Sequence, residues 1–177
     1  VVRAALELKR SGFVPDVMLG HNGWGEIWYL KEVFPSSPLI GYFEFFYRLH
    51  GADVGFEPGE APGIESALRV RTKNIGNLLG LDVCDLGQTP THWQHSVYPA
   101  IYQPRLRIVH DGIDTRVVHP DPQAHLVLPL FGIDLKAGDE VLTYVARNLE
   151  PYRGFDRFMR SLPALLRARP HAQVLIV

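Results

Sequence analysis

The sequence has little of what several classes of protein require. Its single cysteine, Cys84, excludes an internal disulfide framework and any metal site built on paired cysteines. No apolar run approaches the roughly 18 residues of a membrane span, although peripheral contact with a membrane is left open. The formal net charge is −1, so there is no overall positive field to attract nucleic acid. Any recognition of phosphate therefore has to be local.

Several common catalytic motifs are also missing. The sequence contains no GxGxxG, GxxxxGK[ST], HExxH or GxSxG pattern. His92 and His95 have a spacing that zinc tolerates on a helix, but no further ligands gather near them in the sequence. We expect no metal site.

The two ends of the chain indicate an excerpt of a longer protein. The sequence begins at Val1, without methionine and already inside a helix-like pattern, and it stops within the apolar run 173–177. A terminal strand normally has a partner or a crossover helix after it. No charged and then apolar leader precedes a cleavage site. Together with the single cysteine, this favours a cytoplasmic location.

Alternation of short apolar runs with amphipathic segments predicts an α/β fold with a parallel sheet and flanking helices. Strands are predicted at residues 15–20, 38–42, 85–89 and 106–109, and helices at 26–33, 65–81 and 91–97. A strand, a helix and a strand follow at 141–146, 155–168 and 172–177. Between the two groups the sequence is rich in Gly, Pro, His and Asp. We therefore predict a first domain at 1–115, a linker at 116–139 and the start of a second domain at 140–177.

The segment 141–156 has the layout of an anion site. An apolar strand runs into a short loop that carries Arg147, Arg153 and Gly154, and a helix-periodic segment follows directly. The first backbone N–H groups of a helix lack partners and its dipole adds positive charge there, which favours phosphate. Each of the two guanidinium groups can donate hydrogen bonds to two phosphate oxygens at once. The alternative is that both arginines are solvated loop charges.

This segment resembles the start of the second domain in retaining glycosyltransferases of family 4, which have the two-lobed GT-B fold with Rossmann-like domains. The family more often has Lys where this chain has Arg153, and its loop is about one residue shorter. The resemblance implies a nucleotide diphosphate sugar as donor, with Arg147, Arg153 and Gly154 binding its diphosphate. It also implies that positive side chains and a helix N-terminus replace a metal, so no cofactor is expected.

The end of the first predicted strand is a second candidate site. His21 follows it directly, and Trp24 and Glu26 come soon after. Ligands of open α/β sheets bind beyond the carboxyl ends of strands. Residues 20–53 resemble the N-terminal domain of some bacterial family 4 enzymes, which implies that His21 contacts the transferred sugar or the acceptor near the reaction centre. The alternative is that His21 only caps the following helix or binds a loop carbonyl.

The end of the second predicted strand is densely aromatic, with Tyr42 and Glu44 among its residues. Aromatic faces stack on sugar rings and a carboxylate binds hydroxyl groups, so an acceptor pocket is one interpretation. Core packing, with Glu44 paired to Arg48 or to the backbone, is the other. The turn at 110–115 resembles the family's turn at the lobe junction, and we interpret it as structural.

The sequence thus predicts a fragment of a hexose-transferring glycosyltransferase whose partners are a nucleotide sugar and a glycan or lipid-linked acceptor. By the resemblance, the donor-binding carboxylate pair lies beyond Val177 and a glycine-rich loop precedes Val1, so the fragment alone is expected to be inactive. Two alternatives stay open. One is a nucleotide-sugar epimerase or hydrolase of the same fold, and the other is a non-catalytic carbohydrate-binding domain.

Overall fold

A computed structural model describes residues 1–57, 59 and 61–177. The chain divides into two compact units, Val1–Gly112 and Ile113–Val177. The observed boundary therefore falls before the segment 116–139 that the sequence assigns to a linker.

Within the described residues of the first unit, four strands form one parallel sheet in the order β1-β2-β3-β4. The strands are β1 (Met18–His21), β2 (Leu39–Tyr42), β3 (Leu86–Thr89) and β4 (Leu106–Ile108). The helices are α1 (Val2–Arg10), α2 (Leu30–Val33), α3 (Ile64–Lys73), α4 (Ile75–Val83) and α5 (His92–Val97). Parallel strands bring all four carboxyl ends to one edge of the sheet. The predicted α/β class with a parallel sheet and flanking helices is confirmed.

A row of glycines crosses the centre of this sheet. Gly20 pairs in register with Gly41, and Gly41 pairs with Gly87. A Cβ atom would lie 2.4 Å from Ile27 at Gly20 and 2.7 Å from the Phe43 ring at Gly41. Ile27 and Phe43 are fully buried members of the core. The glycines therefore let side chains that follow β1 and β2 fold back onto the sheet, just behind its carboxyl edge.

Two helices differ from the sequence prediction. The single helix expected at 65–81 is broken at Asn74, whose side chain accepts a hydrogen bond from the Tyr47 backbone N–H and donates one to the Tyr47 carbonyl. The helix expected at 26–33 begins only at Leu30, because Gly25 has φ +75° and the indole of Trp28 is drawn towards Asn22. Local periodicity could not reveal the distant partner of Asn74 or the side-chain bond between Trp28 and Asn22.

The second unit contains two pairs of strands. Strands β5 (His125–Leu128) and β6 (Ile133–Lys136) form an antiparallel pair inside the segment assigned to a linker. Strands β7 (Val141–Tyr144) and β8 (Gln173–Ile176) are parallel and are connected through α6 (Phe155–Ala168). Helix α6 has the predicted bounds. This βα unit places the loop 145–154 after the carboxyl end of β7.

No helix in the described ranges combines the length and the apolar character that crossing a bilayer requires.

Candidate functional site

His21 is the last residue of β1, at the carboxyl edge of the sheet. Its Nδ1 atom accepts a hydrogen bond of 3.0 Å from the backbone N–H of Gly23, and its Nε2 atom lies 3.4 Å from Oε2 of Glu44. A backbone N–H can only donate, so Nδ1 carries the lone pair and Nε2 carries the proton. The imidazole is therefore held as the Nε2–H tautomer, with its N–H directed at the Glu44 carboxylate. The alternative role of His21, capping of the turn that follows, is observed, and its contact with a sugar or acceptor stays a prediction.

Tyr42 ends the neighbouring strand β2 and extends the polar edge. Its ring centroid is 5.3 Å from that of His21, and its hydroxyl donates to the Asp111 carboxylate at 3.0 and 3.1 Å. Burial, then the hydrogen bond and the negative charge of Asp111, and finally the charge of Glu44, raise the pKa of Tyr42 to about 12. The phenol therefore stays protonated at neutral pH and acts as a fixed donor. We call His21, Tyr42, Glu44 and Asp111 the edge cluster.

Asp111 was not among the site residues found in the sequence, where it was placed in a structural turn. It follows β4, so the rule that ligands bind beyond strand ends could have identified it. Its neighbour His110 repeats the geometry of His21, because His110 Nδ1 accepts from the backbone N–H of Gly112 at 3.0 Å. His21 is thus the last residue of one outer strand, β1, and His110 comes two residues after the end of the other, β4, and each histidine is fixed by the glycine two residues later.

Trp24 and Glu26 lie in the turn after β1. The Trp24 side chain is 80% exposed, and its ring centroid is 5.8 Å from that of His21. An exposed indole beside a polar cluster offers a flat face to a sugar ring. Glu26 is also exposed, and within the described parts of the chain it makes no hydrogen bond or ion pair. The structure thus joins Trp24 to the edge cluster and does not join Glu26.

A buried amide chain supports the turn that follows His21. The Asn22 side chain is 1% exposed, accepts from the Trp28 indole N–H at 3.0 Å and donates to Asn77 Oδ1 at 3.0 Å. Asn77 donates in turn to Asn74 Oδ1 at 3.1 Å and to the Phe45 carbonyl at 2.9 Å. Because buried amides need partners, this chain fixes the backbone on both sides of the edge cluster. Sequence reasoning missed it, since the amides are far apart in the chain.

The predicted diphosphate site lies in the second unit. Gly154 has φ +73° and precedes α6, and the Tyr144 hydroxyl donates to the Arg153 carbonyl at 3.1 Å. Arg153 Nε lies 3.2 Å from Oε1 of Glu150, so its guanidinium is already paired. Arg147 is exposed and, within the described residues, forms no ion pair.

An acidic side chain also lies at the start of α6. Asp156 is in the first turn of the helix, and its Oδ1 atom is buried without a hydrogen-bond partner in the described chain. A carboxylate there competes with an incoming phosphate for the positive end of the helix dipole. The two arginines therefore have to outweigh both Asp156 and Glu150 for an anion to bind.

Among the described residues, no group of three or more His, Cys, Asp or Glu side chains is arranged to hold a metal ion. The pair His92 and His95 accordingly gains no third ligand of these types there. His95 Nε2 instead lies 3.1 Å from the Gln103 carbonyl.

Comparison with known families gives a match to the first part of the chain. A family model described as the glycosyl transferase family 4 group matches residues 1–118, which is 118 of the 177 residues. This span includes all of β1 to β4 and every residue of the edge cluster. A comparison with curated proteins gives no match.

Proposed function

The chain belongs to the glycosyl transferase family 4 group, and from that premise we propose that it serves the transfer of a sugar from a nucleotide diphosphate sugar to an acceptor hydroxyl, with retention of configuration. The observation that carries the proposal is the edge cluster, in which an oriented imidazole and two carboxylates lie at the carboxyl edge of the sheet. Donors and acceptors with fixed directions are what recognition of sugar hydroxyls requires.

In the proposed site, His21 and Glu44 act as a pair on a sugar hydroxyl. The Nε2–H of His21 donates a hydrogen bond to the hydroxyl oxygen, and a Glu44 oxygen accepts a hydrogen bond from the hydroxyl group. The two groups are 3.4 Å apart in the free protein, so a hydroxyl can insert with a small movement of the exposed Glu44 side chain. Trp24 stacks on a sugar ring, and Tyr42 holds the Asp111 carboxylate beside it. Glu26 is assigned an outer contact with the acceptor.

We assign the donor diphosphate to the loop before α6. Arg147 binds it directly, and Arg153 exchanges its contact with Glu150 for a phosphate oxygen. The turn at Gly154 leaves the first N–H groups of α6 available for the same anion. In the reaction, the bond between the anomeric carbon and the diphosphate breaks and a bond to the acceptor oxygen forms. The acceptor proton leaves on an oxygen of the departing diphosphate, whose charge the arginines stabilise.

A binding titration tests the donor assignment. The chain is titrated with UDP, GDP and ADP by isothermal calorimetry, as wild type and as Arg147→Ala/Arg153→Ala. The matched control is Arg167→Ala, an exposed arginine near the other end of α6. We expect one nucleotide to bind and the double variant to lose at least tenfold in affinity, since hydrogen bonds between charged groups contribute about 1.5–3 kcal/mol each. Equal affinity in the double variant and the control would refute the diphosphate site.

A turnover assay tests the reaction. Release of nucleoside diphosphate from the nucleotide sugar is followed in a protein extended to include the donor-binding carboxylates that the resemblance implies, with and without a panel of glycan and lipid-linked acceptors. Transfer predicts release that depends on acceptor and that falls at least tenfold in His21→Ala and Glu44→Gln. Release or isomerisation without acceptor would instead support the epimerase or hydrolase. Glycan binding without any affinity for nucleotides would support the non-catalytic domain.

A further inference from the structure

The first unit contains a cavity of about 550 Å³ that the sugar-transfer proposal does not use. It lies between the segment 46–50, one side of α3, the residue Leu78 of α4 and Pro99. Its apolar wall includes Phe46, Leu49, Ala67, Val70 and Leu78. A mostly apolar cavity of this size is typical of small-molecule sites. We call it the α3 cavity.

The wall of the α3 cavity is fixed in the free protein. Asn74 at the break between α3 and α4 binds both the N–H and the carbonyl of Tyr47, at 3.0 and 2.8 Å. Arg48 donates from Nε to the Val97 carbonyl at 2.7 Å and from its backbone N–H to Asp53 at 3.1 Å. The segment 46–50 is therefore held in place by hydrogen bonds to Asn74, Val97 and Asp53. A preformed cavity binds its ligand without the cost of ordering a loop.

Two permanently charged side chains, Arg48 and Arg71, line the cavity together with His50. Lys73 lies 4.6 Å from the centroid of the Tyr47 ring at the same wall. None of the lining residues that the structure describes is acidic, and within that described set these basic residues make no ion pair with a carboxylate. Basic side chains that lie beside an apolar surface favour a ligand that has an apolar part and an anionic group.

We propose that the α3 cavity binds an anionic amphiphile, a single apolar chain that ends in a phosphate group. The chain lies along Val70 and Leu78, and the phosphate is bound by Arg71 and Arg48. None of the residues that line the α3 cavity belongs to the edge cluster, and the proposal is independent of the transfer reaction.

Three probes test the two parts of the ligand separately. The chain is titrated calorimetrically, in phosphate-free buffer, with octyl phosphate, 1-octanol and inorganic phosphate. We expect octyl phosphate to bind at least tenfold more tightly than either of the other two. Hexyl phosphate is expected to bind more weakly than octyl phosphate by about two- to fourfold per methylene removed, since each buried methylene contributes up to that factor. Equal binding of octanol, or of inorganic phosphate alone, would overturn the proposal.

Matched variants locate the site. Arg71→Gln is expected to weaken octyl phosphate binding by about three- to tenfold, because one partly exposed charge is lost. Arg69→Gln, on the same helix but outside the cavity lining, is expected to bind like wild type. Ala67→Phe is expected to abolish the dependence on chain length by filling the apolar part. Equal affinities for Arg71→Gln and Arg69→Gln would place the ligand elsewhere, and circular dichroism verifies that each variant is folded.

Discussion

Asn22 and Gly80 fit together so closely that a Cβ atom on Gly80 would lie 1.8 Å from Asn22 Oδ1. That oxygen already accepts the indole N–H of Trp28, and the Asn22 side chain is buried. Helix α4 can therefore approach the turn after His21 only because residue 80 has no side chain. The contact therefore connects α4 to the turn that follows His21, the last residue of β1.

Gly80→Ala is expected to destabilise the protein by about 2 kcal/mol or more. Alanine has the higher helix propensity by about 1 kcal/mol, so the substitution would stabilise an unconstrained helix. Here the overpacking and the disturbed buried amide outweigh that gain. Urea denaturation measures the effect. Gly63→Ala, where no atom lies within 4 Å of the added group, is the control and is expected to change stability by less than about 1 kcal/mol. A Gly80→Ala protein as stable as wild type would contradict the close contact.

The His21 imidazole is expected to be the Nε2–H tautomer when it is neutral. The bond from the Gly23 N–H occupies Nδ1, and the Glu44 carboxylate favours a proton on Nε2. Long-range proton–nitrogen NMR at about pH 8, where an ordinary histidine is neutral, identifies the tautomer directly. The spectrum of His21→Gln assigns the signal. A proton found on Nδ1 would refute the arrangement of the edge cluster.

Stability is expected to fall in acid partly because of Asp85. Hydrogen bonds from Lys31 and then from the Leu39 backbone N–H hold the pKa of this carboxyl below its usual value. A carboxyl group whose pKa is lower in the folded than in the unfolded protein stabilises the fold at pH values above its unfolded pKa. This stabilisation is lost as the carboxylate is protonated, so the loss begins below about pH 5 and grows towards pH 3.

The variant Asp85→Asn, which has no charge to titrate, tests the contribution of Asp85 to acid stability. We expect it to be less stable than wild type at neutral pH, with a smaller difference at pH 3. Urea denaturation at both pH values measures this difference. Asp82→Asn removes an exposed carboxylate from α4 and serves as the control. A difference from wild type that does not change with pH would show that the Asp85 charge is not involved.

Cys84 is expected to be unreactive in the folded protein. It is 3% exposed, and burial raises the pKa of its thiol to about 12, against a lowering by Arg105. Because the thiolate is the nucleophile, Ellman's reagent at about pH 8 should react only as fast as the protein opens. The same reagent in urea should titrate one thiol at once. Rapid reaction under native conditions would show that the core around Gly41 and Cys84 is open.

Glu150→Gln is expected to strengthen nucleoside diphosphate binding by about two- to fivefold. The substitution removes the carboxylate that pairs with Arg153 at 3.2 Å, and exposed ion pairs of this kind contribute about 0.2–1 kcal/mol. Calorimetry with the nucleotide that binds wild type measures the gain. Glu140→Gln, which removes a carboxylate that pairs with Arg169, controls for the change in net charge. Weaker binding in Glu150→Gln would show that Glu150 orients Arg153 for the phosphate.

The elements that were predicted most closely are those whose signal is local. Helix α6 shows apolar periodicity over its whole length and matches its predicted bounds, and each strand of the first sheet overlaps a predicted strand. The break at Asn74 was missed because its cause is the Tyr47 backbone, 27 residues earlier in the chain. The role of Asp111 was missed because its partner Tyr42 is 69 residues away.

The sequence by itself determined the α/β class, because the alternation of apolar runs and amphipathic segments shows which residues are buried. That signal does not depend on the position of distant segments. The sequence also determined that polar and aromatic residues follow the strands. Only the tertiary structure decided which of these side chains meet. The tautomer of His21, the exposure of Trp24 and the amide chain from Asn22 to Asn74 depend on hydrogen bonds and close contacts between distant segments. Such contacts are short-ranged and directional, so they exist only once the sheet has brought its strand ends together.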